Sequence, residues 1–190
     1  MRKTITALLL LAALQPGLAA NDVPNHALVA IETTEGTIVI ELDGRRAPVT
    51  VKNFLELVDS GYYEGLIFHR VIPDFMIQAG AFNRDLDKKE PDTTIFNESG
   101  NGLSNLSGTI AMARLQGPHT AMAQFFINVA DNRSLDPKPE RWGYAVFGYV
   151  VDGMDVVVKI SKVRAGPAGR FSSDVPVVPI IIKKVTRVTS

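Results

Sequence analysis

The sequence predicts a mainly β protein, a closed β-barrel of short strands with capping helices. Runs rich in Val, Ile, Phe and Thr recur along the chain, most of them short and bounded by Gly, Pro, Asn or Asp. Only two stretches carry helical periodicity instead. The length of 190 residues, with 46% hydrophobic and 21% charged residues, suits one domain with a substantial core, and argues against disorder and against a multi-pass membrane protein.

Residues 27–34 (ALVAIETT) and 37–42 (TIVIEL) alternate in the strand period around Glu35-Gly36, where the glycine is free to take positive φ, and predict an opening hairpin. Pro48 then stands where a helix can begin, and Val51, Phe54, Leu55 and Val58 fall at i, i+3, i+4 and i+7 before Gly61. Further strands are predicted in 66–72 (LIFHRVI), 75–79 (FMIQA), 108–113 (GTIAMA), 125–130 (FFINVA), 144–151 (YAVFGYVV) and 177–188 (VVPIIIKKVTRV). A second helix is predicted in 153–163, with Met154, Val157, Val158 and Ser161 on one face. The polar stretch 83–94 and the Gly-, Pro- and Ser-rich stretch 164–176 read as surface loops.

Charge and composition exclude several functions. Basic and acidic residues are both 20, so no bulk attraction to nucleic acid is expected. No cysteine is present, which removes disulfides, thiolate nucleophiles and Cys-ligated zinc. His26, His69 and His119 lack metal-site spacing, and neither a Gly-x-Ser-x-Gly elbow nor a phosphate-binding loop occurs, so no metal and no cofactor is expected. Asn97, Asn105 and Asn132 each open a glycosylation sequon, a pattern short enough to arise by chance. Arg2 and Lys3 precede the apolar run 5–14, followed by Pro16, Gly17, Ala19 and Ala20. That is the anatomy of a secretory signal peptide over 1–20, too short in its apolar part to remain as a membrane span, leaving 21–190 as a single domain. The mature chain is slightly acidic once Arg2 and Lys3 are removed.

Two polar residues interrupt apolar runs. Arg70 lies inside FHRVIPDFMIQAG, and an arginine there is either a paired or snorkelling rim residue or a functional one. Pro73 bends the chain before Phe75, after which alternation puts Met76 and Gln78 on one face and Ile77 on the other. Gln124 stands two positions before Phe126 in the second segment, GTIAMARLQGPHTAMAQFFINVADNRSLD. A third segment, YAVFGYVVDGMDVVVKI, reads by itself as scaffold.

Together, in this order and spacing, the three segments resemble the cyclophilin family from about residue 27 to 187, and the wording GTIAMAR, FFINVADN and GYAVFG is similar above all to that of the bacterial periplasmic cyclophilins. The resemblance implies a closed eight-stranded antiparallel barrel capped by two helices, with a proline-binding site on its outer wall. It implies peptidyl-prolyl cis-trans isomerase activity on proline-containing peptides and unfolded exported proteins, without cofactor, in the periplasm, by a monomer. By correspondence the catalytic arginine falls on Arg70, and the proline pocket on Phe75, Met76, Phe126 and Leu135. Gln78 is expected beside the arginine and hydrogen-bonded to it, with Ala113 and Gln124 lining the groove for the residues before proline. Arg114 stands where many relatives have Asn, Tyr144 where they have the pocket histidine, and Ser134 where they have a tryptophan; Trp142 is close in sequence but out of alignment. Weak cyclosporin binding is the expectation that follows from Ser134. Two other readings are open: a groove that binds proline segments without accelerating them, and a barrel that carries a small ligand inside.

Overall fold

In β1 (His26–Thr33) and β2 (Thr37–Asp43) alternation sends Val29, Ile31, Ile38, Ile40 and Leu42 inward, where each is fully buried. The computed structural model describes residues 23–188, so the leader expected over 1–20 lies outside the described residues. The β1–β2 turn closes at Gly36, whose φ of 143° disfavours any side chain, while Thr33 Oγ1 accepts the N–H groups of Glu35 and Gly36 at 3.0 and 3.2 Å.

Helix α1 (Pro48–Asp59) starts at its proline and buries Thr50, Val51, Phe54, Leu55 and Val58. Its N-terminus has no local side-chain cap. Glu98, 48 residues further on, accepts the N–H groups of Val49 and Thr50 at 3.1 and 2.8 Å and the Thr50 hydroxyl at 2.7 Å, complementing the positive end of the helix.

Then come β3 (Arg70–Ile72), β4 (Met76–Ala79), β5 (Thr109–Met112), β6 (Phe125–Asn128), β7 (Val146–Asp152), α2 (Met154–Ser161), β8 (Ala165–Ala168), β9 (Phe171–Pro176) and β10 (Ile182–Val188). Eight strands form one curled antiparallel sheet in the order β10-β1-β2-β7-β5-β6-β4-β3. The closure is less complete than the sequence suggests, because the ladder ends at β3 and β10. The stretch 66–72 keeps only three residues as β3. Its first part leaves the sheet and bonds across the seam, Phe68 N–H to Ile180 O at 3.0 Å and Ile182 N–H to Leu66 O at 2.8 Å.

The barrel interior is filled by side chains. Phe54 meets Tyr63, Phe125 and Phe147 with ring centroids 5.2, 5.7 and 5.2 Å apart, and Phe68 stands edge-on to Phe125. Burying each such ring contributes roughly 1.5–3 kcal/mol. Among the described residues these side chains pack ring against ring through the centre of the barrel, which argues against the carrier reading.

Two expectations need correction. In α2 the buried residues are Val157, Ile160 and Ser161; Val158 is only partly buried, and Ile160 takes the place expected for it. The stretch 164–176 is not a plain loop but the β8–β9 hairpin, outside the main sheet, with Phe171 packed on His69 and Phe82 at centroid distances of 5.7 and 5.1 Å. Its glycines, prolines and serines hide the alternation that marks a strand.

Candidate active site

The sheet register assembles a row of side chains across the outer wall. Arg70 on β3 pairs with Gln78 on β4, Gln78 with Phe126 on β6, Phe126 with Ala111 on β5, and Ala111 with Val146 on β7. Their chain neighbours Val71, Ile77, Ile127, Ile110 and Phe147 point the other way and belong to the barrel core. Period-two alternation thus gives each strand one core residue and one wall residue, and the wall forms a second apolar cluster of Met76, Ala111, Phe126 and Val146. Met76 and Gln78 share this face and Ile77 the opposite one, as the alternation predicts.

Loops add the remaining walls. The turn between β3 and β4 runs through Pro73 and Asp74, the latter at φ 57°, and Phe75 N–H returns to Ile72 O at 3.2 Å. A buried amide network fixes this turn to the opposite wall. Asn132 Nδ2 donates to Phe75 O at 2.8 Å and to Asn128 Oδ1 at 2.7 Å, while Asn128 Nδ2 donates to Thr109 Oγ1 at 2.9 Å. A 3₁₀ turn over Arg133–Leu135 begins just after Asn132 and delivers Leu135, whose carbonyl accepts the Tyr144 N–H at 3.0 Å. Gly143 lets these strands of chain touch, since a Cβ there would sit 2.4 Å from Pro137 N and 2.8 Å from Leu135 O. Asn97, Asn105 and Asn132 are buried with their amide donors engaged, so none of the sequons presents an acceptor for a glycan in this fold.

Arg70, Phe75, Met76, Gln78, Ala113, Arg114, Phe126, Leu135 and Tyr144 line one cavity of about 240 Å³. Gln124 lies in an adjoining cleft of about 120 Å³ that shares Gln78, Ala113 and Arg114 with the first and also includes Glu90, Thr120 and Met122. The site residues named from the sequence therefore lie along one groove. The Phe126 and Tyr144 rings meet edge to face at 5.6 Å at the bottom of the larger cavity.

Gln78, Arg70 and Arg114 are arranged differently from expectation. Gln78 does not bond to Arg70: its Nε2 donates to Gln124 Oε1 at 3.0 Å, because Gln124 lies two residues before Phe126, diagonal to Gln78 on the same face. Arg70 instead directs Nε at Asp174 Oδ2, 3.5 Å away on β9. Arg114 lines the groove, but its donors serve the main chain. Nε donates to Gly143 O at 3.1 Å, Nη2 to Trp142 O at 2.6 Å and Nη1 to Leu115 O at 3.0 Å, and the guanidinium lies over the Tyr144 ring at 4.9 Å. It binds the loops on either side of the groove to each other. Trp142 does not fill the place of the missing tryptophan. Its ring meets His119 and Phe96 at 5.1 and 5.9 Å, and it lines a separate cleft with Pro137 and Pro139.

The electrostatics are spare. His69, next to Arg70 in the chain, points inward between Phe82 and Phe171, with Nδ1 unpaired. Burial, and then the Arg70 charge, push its pKa down to about 4, so it is neutral near pH 7, and a hydrogen bond with the backbone of Ile67 opposes the shift only in part. Among the described residues no cluster of His, Asp or Glu could hold a metal ion. Arg70 is the charged group whose donors border the apolar cavity without being committed to the main chain.

Sequence signals missed Asp174 entirely. A lone acidic residue in a Ser-rich stretch carries no periodicity, and only the β8–β9 hairpin brings it to Arg70.

A family model described as cyclophilin type peptidyl-prolyl cis-trans isomerase/CLD matches residues 28–187. The chain is 48% identical over 179 residues to peptidyl-prolyl cis-trans isomerase A of Dickeya dadantii, covering 94% of this chain and 92% of that protein. It is 51% identical over 162 residues to peptidyl-prolyl cis-trans isomerase B of Escherichia coli, covering 84% and 98%. The crystal structure of a Cryptosporidium parvum cyclophilin type isomerase determined in the presence of the dipeptide Ala-Pro superposes with a TM-score of 0.69 at 27% identity, over 86% of this chain and 99% of that one.

Proposed function

This chain belongs to the cyclophilin-type peptidyl-prolyl cis-trans isomerases, and from that premise we propose that it turns X-Pro bonds of exported proteins in the periplasm, with Arg70 as the catalytic residue. The isomerase activity itself is that of the family.

An amide rotates slowly because resonance gives its C–N bond partial double-bond character, with a barrier of about 18–20 kcal/mol. Uncatalysed X-Pro exchange takes roughly tens to hundreds of seconds. In the twisted state the prolyl nitrogen regains a lone pair that the planar amide delocalises. A fixed guanidinium donor therefore binds the twisted state better than either planar state, which is the differential interaction that catalysis requires. Phe75, Met76, Phe126 and Leu135 hold the pyrrolidine ring while the preceding carbonyl swings, and the residues before proline lie along Ala113 and Gln124. Excluding water from the apolar cavity strengthens the Arg70 contact. No proton moves, so the departures at Tyr144 and Ser134 leave the chemistry untouched and alter ligand preference.

The observation that carries this reading is the Arg70 guanidinium, not committed to the main chain as that of Arg114 is, at the rim of a wall built of Phe75, Met76, Phe126 and Leu135. A protease-coupled assay on the mature chain tests it. Acceleration of cis-to-trans conversion in a proline peptide is the expected result, and binding without acceleration would favour a non-catalytic module. Export is supported by the leader anatomy of residues 1–20. The described residues contain no helix long and apolar enough to cross a membrane.

A further inference from the structure

Arg70 needs an orienting partner, and Gln78, the residue opposite it on β4, is bonded to Gln124. Resting on the reading of Arg70 as the catalytic residue, we propose that Asp174 is the positioning residue of this active site, holding Arg70 through Nε so that both Nη groups face the bound proline.

The geometry has three parts. First, Asp174 Oδ2 lies 3.5 Å from Arg70 Nε, with the two side chains 32% and 42% exposed, half withdrawn from water. Nε is the donor on the stem side of the planar guanidinium fork. A carboxylate there fixes the plane while leaving the four outer N–H groups free. Among the described residues the Arg70 Nη atoms have no hydrogen-bond partner in the protein.

Second, the hairpin is anchored on both sides of Asp174. Phe171 packs on His69 and Phe82, and Val175 is buried. His69 immediately precedes Arg70, so the contact that seats the hairpin also fixes the backbone carrying the arginine. Third, Asp174 adopts φ 69°, a left-handed conformation that a non-glycine residue rarely takes and that Asp and Asn tolerate best. That backbone bend lies at the residue that meets Arg70.

Catalysis by a placed donor is sensitive to displacements of about 1 Å. A half-exposed ion pair is a modest tether, so the expected effect is moderate: Asp174→Asn, which keeps size and backbone tolerance but removes the charge, lowers kcat about five- to tenfold. KM and thermal midpoint stay unchanged, because the apolar cavity and the hairpin anchors are intact. The Arg70 Nε–Hε resonance in NMR spectra of the full mature chain moves on the same substitution. In an Arg70→Ala background, Asp174→Asn has no further effect on turnover. Unchanged kcat in Asp174→Asn, or an equal loss with and without Arg70, overturns the positioning role. If Arg70→Ala alone kept wild-type turnover, the underlying reading of Arg70 would fail as well, so the two failures are distinguishable.

Discussion

At the scale of single residues the site is a row of wall side chains whose identity the sequence announces and whose partners it does not. Arg70 and Gln124 are visible as polar interruptions of apolar runs, and Phe75, Met76, Phe126 and Leu135 follow by family correspondence. The hydrogen bonds were not legible. Gln78 has donors and acceptors for several partners, and the choice of Gln124 over Arg70 depends on a diagonal pairing that only the register defines. Ser134 carries the residue-scale prediction. It is exposed beside the cavity at the position where the family resemblance places a tryptophan, and Trp142 is held away by His119 and Phe96. Losing an aromatic anchor of this kind costs on the order of 2–4 kcal/mol at a binding hot spot, so weak cyclosporin binding is the expected outcome. Titration calorimetry on Ser134→Trp is expected to show tighter binding by roughly two orders of magnitude. Nanomolar binding by the wild type would contradict the account.

At the scale of elements, the β1–β2 hairpin and α1 were legible because their patterns are strict: period two around Glu35-Gly36, and four apolar residues on one helical face after Pro48. The β8–β9 hairpin was not, since Gly166, Pro167, Gly169, Ser172 and Ser173 interrupt any alternation and its anchoring is tertiary. The seam at β3 was misread for a related reason, as 66–72 is apolar throughout and nothing local says where pairing changes partner. Between the elements, the site depends on Asn132, which ties the 3₁₀ turn carrying Leu135 to the β3–β4 turn carrying Phe75. Asn132→Ala leaves the Phe75 carbonyl without this donor and Asn128 Oδ1 without its partner. A loss of about 2 kcal/mol is expected, seen as a thermal midpoint lower by roughly 4–8 °C, with KM raised because both cavity walls loosen. Calorimetry and peptide kinetics on the same sample check it; a fall in stability with unchanged KM would detach the network from the site.

At the scale of the whole molecule, the barrel makes the outer wall rigid by filling its inside, and a neutral histidine buried in a separate cluster with Phe82 and Phe171 ties the fold to acid stability. The folded pKa of His69 is about 4, below the ordinary 6.5, so the unfolded chain takes up a proton that the fold refuses. Its contribution is complete above about pH 6.5 and is lost as pH falls toward 4, reaching roughly 3 kcal/mol. Denaturant unfolding at pH 7 and pH 4.5 is expected to show a smaller drop for His69→Phe than for wild type, and equal drops would count against a neutral buried ring. Export is tested separately: N-terminal sequencing of periplasmic protein is expected to begin near Ala20 or Asn21, and an intact Met1 there would refute cleavage. The central claim is that Arg70 stabilises the twisted amide and does little for binding of the planar one. Its most direct test is NMR exchange spectroscopy on a proline peptide with wild type and Arg70→Ala, each also measured for thermal unfolding and peptide affinity. The account predicts a catalysed exchange rate lower by about 10²–10³, with fold and most of the affinity retained, as for loss of one preorganised donor. Near-wild-type exchange in a well-folded Arg70→Ala protein would contradict it.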